Sequence, residues 1–128
     1  MPEMHVFEYA VIRIVPRVDR GECINAGVMV FCKRKRYLSL KVEVNEDRIL
    51  ALWPEINVEE IRSYLNAWKL ISEGSEAGGP IARLDTPERF RWLSAVKSTV
   101  LQTSPIHSGL TADPETMVDQ LFGKYVAS

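Results

Sequence analysis

Residues 6–15 read Val-Phe-Glu-Tyr-Ala-Val-Ile-Arg-Ile-Val, and this run constrains the fold more than any other. β-Branched and aromatic residues dominate it, and both of its alternating faces are mostly apolar. A strand of that kind must be covered on both sides. Pro16 ends it, because proline has no N–H to give to a ladder. Arg17 to Asn25 is a polar, charged connection containing Gly21, and Ala26 to Cys32 is a second buried strand. Lys33-Arg34-Lys35-Arg36 makes a short basic turn. Tyr37 to Val44 then alternates, with Leu38, Leu40, Val42 and Val44 inward and Tyr37, Ser39, Lys41 and Glu43 outward. That pattern fits a half-solvated strand near an edge. Short links between the three strands make an antiparallel meander the economical topology.

Helical signals follow. Asn45 is a good N-cap for a short helix reaching about Trp53 and closed by Pro54. Asn57 with Glu60 resembles a capping box. The next helix sets Ile61, Tyr64, Leu65, Trp68 and Ile71 on one face and ends near Gly74. Ser75 to Pro80 is Gly-rich and reads as a mobile loop, and Pro80 to Leu84 is either a short strand or a cover for the core. Thr86-Pro87-Glu88 starts another helix, whose apolar stripe of Phe90, Leu93, Val96, Val100 and Leu101 runs to about Gln102. Thr103 to Ala112 reads as irregular. Asp113-Pro114-Glu115 begins a last helix carrying Val118, Leu121, Phe122, Tyr125 and Val126 on one side. Trp53, Trp68 and Trp92 are expected to pack in the core or between helices.

A chain of 128 residues fits one domain, residues 1–128, and can bury a core without disulfide or metal staples. The net charge of −1 excludes a globally basic nucleic-acid binder. Residues 1–44 carry eight Lys/Arg against five Asp/Glu, and the rest eight against twelve, a split too mild to imply a polyanion partner. Cys23 and Cys32 lack the spacing of a redox motif, and with only His5 and His107 no metal cluster is evident. Reduced thiols suit a cytoplasmic setting. The N-terminus has no signal-peptide pattern, and no apolar run approaches the ~20 residues of a membrane span. No cofactor motif is present.

The run Tyr9 to Val18, continuing through Glu22, Asn25-Ala26-Gly27-Val28 and Cys32, resembles the bacterial family named for domain of unknown function 3037. So does Lys97 to Leu110, which contains Ser104-Pro105-Ile106-His107-Ser108-Gly109-Leu110 and is followed by Asp113-Pro114 and Leu121-Phe122. Thr111 departs from the family pattern, which has a Cys or another small residue there. The resemblance implies a small stand-alone bacterial protein without an established activity. It also implies a genomic association with kinases similar to the HipA toxin, and hence a partner or regulator role.

Two candidate sites emerge. The first is an arginine loop of Arg13, Arg17 and Arg20 with Asp19, Glu22 and Asn25. Arg13 has apolar neighbours on its strand face, so its guanidinium needs a carboxylate or carbonyl acceptors. An internal ion pair with Glu8, Glu22 or a helix carboxylate is the structural explanation; forked recognition of a small anion or nucleotide phosphate is the functional one. The second is the segment Ser98–Gly109, where Ser98, Ser104 and His107, with Asn25, offer polar contacts. There the structural explanation is a rigid connector whose hydroxyls cap helices and whose histidine bonds a backbone carbonyl. Cys23 or Ser104 as a nucleophile with His107 as base is a hydrolase arrangement without a supporting elbow motif. The Lys33–Arg36 turn reads as a solvated hairpin tip, with nucleic-acid contact the less supported alternative.

The expected fold is α+β, a three- to four-stranded antiparallel sheet with packed helices. The expected function is that of a non-enzymatic accessory or interaction domain, associated through its family with a HipA-like kinase. The alternative is a small-anion or nucleotide-binding protein, or an enzyme, using both candidate sites.

Overall fold

The computed structural model describes residues 3–16, 21–95 and 100–127. The apolar run forms strand β1 (His5–Ile14), which pairs antiparallel with β2 (Ile24–Cys32), and β2 pairs with β3 (Tyr37–Val42). This is the expected meander, with β3 at one edge. Ile12 faces Gly27 while Arg13 faces Asn25, so Ala26 is left over as a bulge in β2. The extra residue lets Ile24 and Ala26 face the same layer as Met29 and Phe31.

Helix α1 (Glu46–Leu52) begins where Asn45 accepts the Arg48 amide at 3.1 Å, and α2 (Val58–Glu73) where Asn57 accepts that of Glu60 at 3.1 Å. Both caps fall where the sequence places them. Ile61, Leu65, Trp68 and Ile71 are buried; Tyr64, expected with them, is exposed and donates to Glu60 at 2.6 Å. Gly74 ends α2 with a φ of 69°, the left-handed conformation that a side chain would resist. The next segment forms two short 3₁₀ turns, Glu76–Gly78 and Pro80–Arg83, rather than a strand. Helix α3 (Thr86–Ser94) is shorter than its apolar stripe suggests. Leu101 belongs to a strand instead, and residues 96–99 lie outside the described residues.

Arg89 of α3 ties this layer together. It donates from Nη1 to the Ile71 and Ser72 carbonyls at 3.1 and 2.7 Å, from Nε to Leu84 O at 3.0 Å, and from Nη2 to Thr86 Oγ1 at 3.0 Å. One rigid fork thereby ties the carbonyls at the end of α2 to the start of α3.

The main correction concerns residues 101–111, expected as the end of a helix reaching about Gln102 followed by an irregular stretch from Thr103 to Ala112. They form β4 (Leu101–Thr103) and β5 (His107–Thr111), which both run antiparallel to β1 and complete a five-stranded sheet. β4 holds the register Ile12 to Thr103 and β5 the register Tyr9 to His107. The two are therefore one outer strand broken by a one-residue offset. The α+β antiparallel class stands, and the sheet gains an edge.

The sheet is covered on both faces. Ala10, Ile12, Ile14, Met29, Phe31 and Leu40 pack beneath α1, α2 and α3, with Phe31 stacked on Phe90 at 4.7 Å between ring centroids. Phe7, Val28, Val30 and Cys32 pack beneath α4 (Pro114–Tyr125), through Val118, Leu121 and Phe122. Each of those three side chains contributes roughly 1.5–3 kcal/mol by burial. α4 starts at Asp113, whose carboxylate accepts the Glu115 amide at 3.1 Å and the Thr116 hydroxyl at 2.6 Å. Among the described residues no helix is long and apolar enough to cross a membrane.

Candidate functional site

Alternation along β1 puts Phe7, Tyr9 and Arg13 on the face that α4 covers. Arg13 sits between Asn25 of β2 and Gln102 of β4, next to the bulge. No hydrogen bond or ion pair among the described residues reaches its guanidinium, and its Nε is sealed from solvent without a partner. The expected internal ion pair with Glu22 is not formed: that carboxylate accepts from Trp53 Nε1 at 3.1 Å. Glu8 is on the opposite face of the strand. Arg17, Arg20 and Ser98 lie outside the described residues.

Asn25 is spent on the end of α4, donating from Nδ2 to Tyr125 O at 3.1 Å. The Tyr125 hydroxyl meets that of Tyr9 at 3.3 Å. This contact holds the Tyr125 hydroxyl below its ordinary pKa and pushes that of Tyr9 above it, with burial adding to the rise at Tyr9. His107, opposite Tyr9 in the ladder, is exposed and lays its ring 5.4 Å from the tyrosine ring. Phe7, Tyr9 and Tyr125 continue this aromatic strip.

Among the described residues, Arg13 and the Tyr9–His107 pair lie on one face of β1, four strand residues apart, about 13 Å at the rise of an extended chain. Cys23 precedes Ile24, the partner of Ile14, and lies still farther from His107. Cys23 is exposed and Cys32 buried, both as free thiols.

Ser104 has a structural task. The Val11 amide donates to its Oγ at 2.8 Å, its own amide donates to Val11 O at 2.8 Å, and its hydroxyl donates to Pro105 O at 3.0 Å. Thus Ser104 bridges the break between β4 and β5, where Pro105 has no N–H to offer. Gly109 lies opposite Phe7, and a Cβ there would come within 2.9 Å of the Phe7 ring. An aromatic ring lying over a cross-strand glycine explains why this position carries no side chain. The Ser-Pro-x-His-x-Gly pattern is thus the chemistry of a bulged edge strand, which periodicity alone does not disclose.

Sequence reasoning missed the opposite face. Val6 and Leu110 are register partners and are 63% and 60% exposed, with Met4 and Ile106 also exposed. Val6 was expected to be buried, but the layer of α1–α3 stops short of the start of β1. Met4, Val6 and Phe31 line a groove of about 540 Å³ whose rim carries Lys33, Arg34 and Glu8. Arg34 pairs with Glu3 at 3.2 Å on the surface. The basic turn also lines a second, smaller cleft, where Lys33 and Arg36 meet Asp85 at the start of α3. Among the described residues there is no group of three or more His, Cys, Asp or Glu placed to hold a metal ion. Trp53 and Trp68 are buried as expected, whereas Trp92 is exposed.

No curated protein and no solved structure matches this chain. One family model does, over residues 9–126, a span that takes in the bulged first pair of strands, the broken outer strand and α4. The resemblance carried by Tyr9–Cys32 and Lys97–Leu110 is thereby established along nearly the whole length, and the chain belongs to the family described as Protein of unknown function (DUF3037).

Proposed function

We propose that this chain is a non-enzymatic accessory domain of the bacterial cytoplasm that acts by binding another protein, with a HipA-like kinase as the first candidate. Its support is the groove at the start of β1: an apolar floor of Met4, Val6 and Phe31 left open between the helical layer and the basic turn. Contiguous apolar surface with a polar rim is what a protein partner covers. The identity of the candidate partner comes from the family resemblance alone. A pull-down from the native host, comparing the parent with a Met4→Asp/Lys33→Glu variant, tests both parts. A kinase retained in stoichiometric amount by the parent and lost from the variant is expected. Absence of such a kinase, or equal retention by both proteins, refutes the proposal.

A second reading has one specific observation in its favour, the unpartnered Arg13 guanidinium. A buried guanidinium nitrogen without an acceptor is costly, and a phosphate or carboxylate would supply one. On this reading inorganic phosphate raises the melting temperature of the parent, and Arg13→Gln or a joint Arg17→Ala/Arg20→Ala change removes the rise. A parent whose melting temperature ignores phosphate rules it out.

A further inference from the structure

We infer that a second copy of this chain pairs with the free edge of β5, joining the two sheets into one. From Val100 to Ala112 the sequence contains no Asp, Glu, Lys or Arg. Exposed edge strands are ordinarily guarded against pairing by charge. The opposite edge keeps that guard: β3 carries Lys41, paired with Asp119 at 3.0 Å, and follows the basic turn. β5 does not, and among the described residues it pairs with β1 alone.

The neutrality selects the occupant. Two copies of an uncharged strand bring no like charges together, so the edge is compatible with itself. Antiparallel pairing of identical strands has its two-fold axis perpendicular to the sheet. Each side chain then stays on its own face. With all five residues paired, Gly109 faces Gly109 and Leu110 faces Ser108, so the exposed Val6–Leu110 pair of one copy lies diagonally beside the same pair of the other and the two short apolar patches adjoin across four strands. Pro105 and the offset beside it confine the pairing to His107–Thr111. An interface of five residues a side falls well below the ~1,600 Å² of a standard stable complex, so the dimer is weak, with dissociation in the micromolar range. The inference shares Val6 with the groove but rests on the backbone edge of β5, which is not part of the groove lining, and does not depend on a partner there.

Sedimentation equilibrium between about 10 and 500 µM tests it. The expected weight-average mass of the parent rises from 14.6 kDa toward twice that value. Leu110→Lys and Leu110→Glu, both at an exposed position, each stay at the monomer mass, and an equimolar mixture of the two regains the rise. Circular dichroism confirms that both variants fold. A parent that remains at 14.6 kDa throughout overturns the inference, as does a Leu110→Lys protein that associates like the parent. The Met4→Asp/Lys33→Glu variant is expected to associate normally, so failure of the groove proposal and failure of this one give different results.

Discussion

Replacing Ser104 by alanine removes the side-chain acceptor that serves the Val11 amide. Val11 is buried and its N–H lies 2.8 Å from Ser104 Oγ, so water does not readily replace the lost oxygen. A buried donor left unpaired costs about 1–3 kcal/mol. Alanine also loses the bond to Pro105 O, but that carbonyl belongs to an exposed residue and can be hydrated. Relief from burying a hydroxyl returns part of the cost, which leaves an expected loss of about 2 kcal/mol. For a chain of this size that corresponds to a fall in melting temperature of roughly 6–10 °C. Ser108→Ala, one strand position beyond His107 and exposed, serves as the control and should stay within about 0.5 kcal/mol of the parent. Urea unfolding measures both, and native-state hydrogen exchange localises the effect, since the Val11 amide should lose protection in Ser104→Ala. If Ser104→Ala unfolds within about 0.5 kcal/mol of the parent, the assignment of Ser104 as the bridge across the broken strand is wrong.

Gly109→Val places a branched side chain where a Cβ already comes within 2.9 Å of the Phe7 ring, and a loss of about 1–3 kcal/mol in urea unfolding is expected; adding Phe7→Ala in the same chain should shrink the increment due to valine. Arg89→Lys keeps the charge but loses the fork that reaches four acceptors, and should destabilise by about 1–2 kcal/mol, while an unchanged midpoint would show that the end of α2 does not need it. The Thr116 hydroxyl, helped by the Glu115 and Thr116 amides, holds the Asp113 carboxyl below its ordinary value of 3.8. Its contribution is therefore present above that value and lost as the pH falls through the lower folded value, so the melting temperature of the parent should drop more steeply in that acid range than that of Asp113→Asn. Parallel acid profiles for the two proteins would count against it.

The elements legible in the sequence are those whose signal is local. Asn45, Asn57 and Asp113 announce helix starts because a cap needs only its own next three residues, and the first three strands announce themselves by β-branched runs. The outer strand was hidden because Ser104, Pro105, His107 and Gly109 are weak strand formers, and each is explained by a residue about a hundred positions away: Val11, Tyr9 or Phe7. Arg89 carries no local signal of its role, since its acceptors lie at Ile71 and Ser72, at Leu84 and at Thr86. Alternation sets Arg13 on the face of Tyr9 and Val11, but its ladder partners are Asn25 and Gln102, and Glu22, one of the carboxylates expected beside it, accepts from Trp53. The exposure of Val6 depends on how far a helical layer reaches, a property of lengths and packing that no window around Val6 contains.

The offset between β4 and β5 also bears on fidelity. If β5 slid by one residue to adopt the register of β4, Ser108 would replace Gly109 opposite Phe7, and Leu110 would turn from the solvent face to lie beside His5. A Cβ at that place would come within 2.9 Å of the Phe7 ring, which would have to shift. Sliding β5 into the register of β4 is thus opposed by the Phe7 ring, and the interrupted ladder is its correctly paired state. The apparent defect in the sheet acts as a register check, so an outer strand with so few apolar anchors still settles into a single alignment during folding.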